Sequence, residues 1–269
     1  MITETLPSGL TLPKIGYGMW KIGGAMSPDQ GKDDRSLRAI RTALEIGYTH
    51  FDTAEMYARG RSETLLARAA REHGVDRSDL FITTKVSPSN LRYNDLIASC
   101  EASLQRLDTD YIDLYLIHWP GRVPLEESFR ALNTLQATGK IRHVGVSNFD
   151  LRLLERALEL CDTPLATNQV QYSLTDRTAA TDGILDFCQE HGLFLTAYSP
   201  VDSGRLRVLT PLREIAAKHD ASPYQIALAW LVRQRNVITI PMSMNPDHIA
   251  ENFEADRIRL DADDLRTLN

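Results

Sequence analysis

The sequence predicts an α/β protein: a (β/α)8 TIM barrel preceded by an N-terminal β-hairpin. Two observations carry this expectation. Strand-like and helix-like stretches alternate eight times along the 269 residues, and a barrel of eight such units commonly takes about 250 residues. The polar side chains of the strand-like stretches also gather at their C-terminal ends, the rim where such barrels bind ligands.

Pro7-Ser8-Gly9 carries turn chemistry and marks the expected hairpin. The strand candidates that follow are KIGYGMW (14–20), YTHFDT (48–53), FITTKV (81–86) and DLYLIH (113–118), then HVGVSN (143–148), TNQVQY (167–172), FLTAYSP (194–200) and VITIPMS (237–243). Most are short apolar or β-branched runs, as buried parallel strands are. TNQVQY is the most polar and suits an inner strand whose side chains reach a ligand. Helical patterns lie between them. Leu37, Ile40 and Leu44 share a face that stops at Gly47. Ser62 is the expected cap of SETLLARAAREH, which stops at Gly74, and Asp150 that of DLRLLERALEL, where Leu154, Leu158 and Cys161 share a face. Thr210-Pro211 and Ser222-Pro223 each read as an N-cap followed by proline. No linker, charge block or low-complexity run divides the chain, so residues 1–269 read as one domain.

Composition bounds the function. A net charge of −6 and a pI near 5.7 argue against a dedicated nucleic-acid binder. No window approaches the roughly 18 apolar residues a membrane span needs. The N-terminal MITETLPSGL has neither a basic start nor an apolar run, so a cytoplasmic protein is expected. Cys100, Cys161 and Cys188 are odd in number and far apart in sequence, which disfavours a disulfide framework or a structural metal. A monomer is the expected assembly.

Four residues on separate stretches can share the rim: Asp52, Tyr57, Lys85 and His118. Free tyrosine, with a pKa of about 10, is a poor acid at neutral pH. An ammonium from Lys85 would favour the phenolate, and Asp52 would hold that ammonium charged. His118 could donate to a carbonyl oxygen and steady developing negative charge. Ser147, Asn148, Gln169, Tyr198, Ser199 and Ser243 fall at other strand ends.

GYTHFDTAEMY (47–57), ITTK (82–85), DYIDLYLIHWP (110–120) and IPMSMNPDHIAEN (240–252) resemble, in order, the signatures of the aldo-keto reductases. The resemblance runs from KIGYGMW to the C-terminus. It implies hydride transfer from a nicotinamide cofactor to a small-molecule aldehyde or ketone, with Asp52, Tyr57, Lys85 and His118 as catalytic residues and Tyr57 as general acid. It assigns Ser147, Asn148 and Gln169 to the carboxamide, Tyr198 to the nicotinamide ring, and Ser199, Val201 and Ser203 to the pyrophosphate, with Pro200 among the cofactor contacts. It further assigns Glu251 and Asn252 to the adenine, and Met19, Trp20, Asp52, Ile240, Met242, Ser243 and His248 to the rest of the cofactor cleft. Trp20, Met56 and Trp119 are the expected substrate wall. The absence of a long C-terminal loop known in many relatives implies an open pocket.

One departure stands out. Met242 and His248 occupy positions where the family usually carries lysine and arginine against the 2′-phosphate of NADP(H). Ser243 and Asn245 remain as neutral donors, so NAD(H) is admitted as well as NADP(H), unless Arg205 or Arg207 supplies the cation. Two other readings stand beside the reductase. His50-x-Asp52 superficially resembles a metal pair of a barrel hydrolase but lacks further ligands nearby. A regulatory protein that only binds the cofactor would not need Tyr57.

Overall fold

A computed structural model describes residues 1–202, 206 and 210–268. The hairpin forms as expected: β1 (Thr3–Thr5) pairs antiparallel with β2 (Thr11–Pro13) around the Pro7-Ser8-Gly9 turn. Eight parallel strands follow in one sheet: β3 (Tyr17–Gly18), β4 (His50–Asp52), β5 (Phe81–Val86), β6 (Ile112–Ile117), β7 (Ile141–Ser147), β8 (Thr167–Gln171), β9 (Phe194–Tyr198) and β10 (Val237–Thr239). Each pairs with its neighbour in chain order. The sheet closes on itself where Ile15 bridges Thr239, with Gly16 N donating to Thr239 O at 2.8 Å and Gly18 N to Pro241 O at 3.1 Å. KIGYGMW is a strand over only two residues, Tyr17 and Gly18, which pair with Phe51 and Asp52 of β4, and Ile15 before them makes an isolated bridge.

The helices are α1 (Asp33–Ile46), α2 (Arg61–His73), α3 (Tyr93–Leu107), α4 (Leu125–Ala137), α5 (Leu151–Leu160), α6 (Thr178–Thr181), α7 (Ile184–Glu190), α8 (Thr210–Lys218), α9 (Pro223–Val232), α10 (Pro246–Glu254) and α11 (Ala262–Leu268). Asp150 caps α5 by accepting from Leu153 N, and Ser222 with Gln225 forms a reciprocal capping box on α9. Ser62 does not cap α2. The helix begins one residue earlier, at Arg61, and the buried Ser62 hydroxyl bonds Thr53 Oγ1 at 2.9 Å instead. α8 is assigned from Thr210 itself, with Pro211 behind it.

Alternation along the strands divides the core. Outward residues such as Phe51, Ile82, Tyr115 and Ile117 pack under the helices. Leu114, Leu116, Phe194 and Ile238 instead form a second cluster with Leu6, Leu10 and Leu12 of the hairpin. The hairpin thus plugs the end where the strands begin, leaving the opposite end free for a site. Among the described residues no helix is long and apolar enough to cross a membrane.

His50 sits one layer above the plug, fully buried, with Nε2 3.0 Å from Thr83 Oγ1. Burial pushes its imidazole down to about 4. Unfolded, it titrates near 6.5, so between about 6.5 and 4 only the unfolded chain takes up this proton. Stability is therefore present above that window and is lost as pH falls through it, by about 2 kcal/mol at pH 5 for this one group. Urea melts at pH 7 and pH 5 test it: the pH-dependent loss should shrink in His50→Gln, and an unchanged loss would rule His50 out as a source.

Candidate active site

Inward positions on β4, β5 and β8 meet above His50. Lys85 Nζ, fully buried, donates to Asp52 Oδ1 at 2.5 Å, to Thr53 O at 2.7 Å and to Tyr57 Oη at 3.4 Å. The second carboxylate oxygen, Asp52 Oδ2, accepts from Gln169 Nε2 at 2.7 Å. Asp52 is therefore held on both sides, and the polar strand β8 reaches the barrel centre as its sequence suggested. Burial pushes the Lys85 ammonium down, and the Asp52 carboxylate pulls it back up.

Tyr57 departs from expectation in one respect. Its phenol lies well above its ordinary value, first because it is buried and then because Asp52 and Tyr198 lie close. The field of Lys85 is largely cancelled by Asp52, which is nearer to Nζ than the phenol is. Tyr57 is a neutral phenol holding its proton, with an ammonium beside the oxygen.

His118 follows the end of β6. Its ring stacks on Trp119 at 4.2 Å between centroids and meets Tyr57 edge-on at 5.6 Å. Burial, with Lys85 adding to it, pushes the imidazole down to about 2, so it is neutral at any physiological pH. Its Nδ1 is buried and has no hydrogen-bond partner among the described residues. A proton there would have no acceptor, which favours the tautomer with the proton on Nε2. His118 can then donate one hydrogen bond into the cavity.

These groups open into one cavity of about 560 Å³. It takes in Asp52, Tyr57 and His118, the cleft residues Met19, Trp20, Ser147, Asn148, Gln169, Tyr198, Ser199, Pro200 and Val201, and the substrate-wall residues Met56 and Trp119. Ile240, Met242, Ser243, His248, Glu251 and Asn252 complete its lining. Lys85 lies behind Asp52 and Tyr57 rather than on the wall. Ser203, Arg205 and Arg207 lie outside the described residues.

Local backbone aims several of these side chains. Asn148 adopts a left-handed conformation (φ 61°), and its Nδ2 donates to Ser147 Oγ at 3.0 Å and to His118 O at 3.1 Å. Tyr198 Oη donates to Asn148 Oδ1 at 3.0 Å. Ser147 Oγ donates to Gln169 O at 2.8 Å. Hydroxyl, amide and aromatic ring thus form one continuous wall beside Tyr57 and His118. Met242 packs partly against the core, and Ser243 Oγ accepts from Asn245 N at 3.1 Å, its own proton having no acceptor among the described residues. Asn245 is not on the wall: its Oδ1 caps α10 by accepting from Asp247 N.

Gly18, Lys21, Met26 and Tyr224 also line the cavity, and sequence reasoning did not single them out. Gly18 carries the one usable signal, a glycine inside a strand pattern. A Cβ there would lie 2.3 Å from Ile240 O. Lys21 and Met26 belong to an irregular loop, and Tyr224 reaches in from α9, where helical periodicity says nothing of the barrel mouth. Among the described residues no three His, Cys, Asp or Glu side chains cluster to hold a metal.

The profile described as "Aldo/keto reductase family" matches residues 14–269. Methylglyoxal reductase YeaE of Escherichia coli is 37% identical over 266 residues, covering 97% of this chain and 91% of that protein. A thermostable aldo-keto reductase solved with the inhibitor epalrestat superposes with a TM-score of 0.96 at 44% identity, covering all of this chain and 98% of that one. An aldo/keto reductase from Klebsiella pneumoniae, solved with NADP and acetate, superposes with a TM-score of 0.90 at 34% identity, covering 99% and 93%.

Proposed function

The chain belongs to the aldo/keto reductase family, and on that footing we propose that it reduces small aldehydes and ketones to alcohols with NADPH or NADH, Tyr57 acting as general acid. The observation that carries this reading is the Lys85 ammonium bound to Asp52 and set 3.4 Å from the Tyr57 hydroxyl, beside a neutral His118, where Asp52, Tyr57 and His118 open into the cavity.

The donor set suits a nicotinamide cofactor. Ser147, Asn148 and Gln169 offer the hydroxyl and amide groups that a carboxamide pairs with, and the Tyr198 ring lies on the same wall for stacking. Ser199, Pro200 and Val201 would follow the pyrophosphate, together with Ser203. Glu251 and Asn252 would meet the adenine. A bound reduced nicotinamide supplies the hydride.

The protein's own groups handle the carbonyl oxygen. His118 Nε2–H and the Tyr57 hydroxyl converge on it and polarise the bond. As the carbon is reduced, the oxygen approaches an alkoxide, about as basic as hydroxide and far more basic than a phenolate. Even a phenol raised by burial yields its proton to so strong a base. The Lys85 ammonium then faces the phenolate at short range in a poorly solvated site, and Asp52 keeps that ammonium charged. Trp20, Met56 and Trp119 hold the apolar part of the substrate and exclude water. In the oxidative direction Tyr57 takes the proton back. The three cysteines are free thiols, which suits a reducing compartment such as the cytoplasm.

The far end of the cleft bears on cofactor choice. Charge-assisted bonds are worth about 1.5–3 kcal/mol each, and replacing two cations by Met242 and His248 forfeits on the order of a hundredfold or more in affinity for a 2′-phosphate. The dissociation constants for NADPH and NADH should therefore lie within about tenfold of each other. Met242→Lys should tighten NADPH by about tenfold or more and leave NADH unchanged. Quenching of protein fluorescence by each cofactor measures both. A strong native preference for NADPH would contradict the assignment and point to Arg205 or Arg207. A matrix of both cofactors against a carbonyl panel tests the activity itself.

A further inference from the structure

The chain immediately after Tyr57 is unusual. Ala58 (φ 48°, ψ 38°) and Arg59 (φ 52°, ψ 48°) are both left-handed, and Gly60 follows at φ 83°. Two consecutive residues with a Cβ in this region are unfavourable and persist only where the surroundings over-determine them. Ala58 N donates to Ala25 O at 2.7 Å, and Thr64 Oγ1 donates to Gly60 O at 3.3 Å. The third restraint is a side chain from another layer. Arg106 of α3 lies against Gly60 so closely that a Cβ there would sit 2.4 Å from its Nε and 2.5 Å from its Cδ.

Arg106 is itself fixed. Its Nε donates to Glu63 Oε2 at 2.5 Å and its Nη2 to Ser103 Oγ at 2.9 Å. The Glu63 side chain is fully buried, and its other oxygen accepts from Thr84 Oγ1 at 2.6 Å. Thr84 and Lys85 are adjacent on β5 and point to opposite faces. The same strand therefore carries the inner contact to the Tyr57 hydroxyl, through Lys85, and the outer brace on the turn that follows Tyr57, through Thr84, Glu63 and Arg106.

We propose that Arg106 is a positioning residue for Tyr57: ion-paired to buried Glu63 and packed across Gly60, it holds the left-handed turn that sets the Tyr57 hydroxyl against Lys85 and the substrate oxygen. This rests on Tyr57 being the proton donor. Loss of the brace leaves the cofactor and substrate walls in place and misaligns only the proton transfer.

The test compares wild type, Tyr57→Phe, Arg106→Ala and Arg106→Lys for kcat, KM, cofactor binding by fluorescence quenching, and the solvent deuterium isotope effect on kcat. Misplacement of a reacting group costs rate steeply, so Arg106→Ala should lose about tenfold or more in kcat. Its carbonyl KM and cofactor dissociation constant should stay near wild type, its solvent isotope effect should rise, and added guanidinium ion should restore part of kcat. Arg106→Lys keeps the charge opposite Glu63 without the flat group over Gly60. It should lose about threefold, and it decides the matter if Arg106→Ala does not fold. Wild-type kcat and isotope effect in a folded Arg106→Ala, or in Arg106→Lys where Ala fails to fold, overturn this inference alone, provided Tyr57→Phe is inactive. A wild type that reduces no carbonyl, or an active Tyr57→Phe, overturns the reading it rests on and this inference with it.

Discussion

Tyr57→Phe is expected to lower kcat for carbonyl reduction by about a thousandfold, the middle of the range for removing a positioned general acid. The substitution deletes one oxygen from a buried ring and leaves its contacts with Trp20 and His118 available. The fold and the cofactor dissociation constant should therefore be unchanged. Steady-state rates with a small aldehyde, set beside fluorescence quenching by the cofactor, separate the two effects. A variant that binds cofactor normally and turns over within tenfold of wild type would remove Tyr57 from the mechanism.

Lys85→Met is expected to be costly twice. The ammonium is fully buried, and its loss leaves the Asp52 carboxylate with Gln169 as its remaining side-chain partner. Breaking a buried pair from one side costs about 3–5 kcal/mol, on the order of 10 °C in Tm for a chain of this size. The partner of the Tyr57 hydroxyl goes at the same time, so activity should fall with it. Adding Asp52→Asn to Lys85→Met removes the stranded charge. Much of the lost stability should return in the double variant, while activity should not. Thermal melts and turnover of the two single variants and the double variant test this. A Lys85→Met protein as stable as wild type would mean that Asp52 does not depend on this ammonium.

The legible and illegible parts of this protein follow from the range of the forces involved. The strand at 81–86 announced itself by a β-branched run ending in Lys85, and the structure extends it over the same residues. Asp150 and Ser222 were readable as caps because a cap bonds two or three residues away. Ser62 misled for the same reason: its local pattern suits a cap, but a partner nine residues back, Thr53, takes the hydroxyl. KIGYGMW looks like a full strand, yet only Tyr17 and Gly18 find ladder partners, on β4, more than thirty residues away.

In the site, most of the residues that strand ends and signature motifs single out line the cavity, while Lys85 lies behind it and Ser203 outside the described residues. Electrostatics were not visible. The downward pull of Lys85 on Tyr57 is what pairwise reasoning gives. Burial and the competing Asp52 reverse it, and both depend on how deep the group sits. Lys21, Met26 and Tyr224 escaped notice because loops and helix faces reach the mouth without any periodic signal.

Single-turnover reaction of the protein with a small aldehyde and nicotinamide cofactor deuterated at the transferring position tests the central claim most directly. The account predicts an alcohol carrying one deuterium on the former carbonyl carbon, formed rapidly by the wild type and about a thousandfold more slowly by Tyr57→Phe. No labelled alcohol from the wild type with either cofactor, or equal rates from the two proteins, would contradict it.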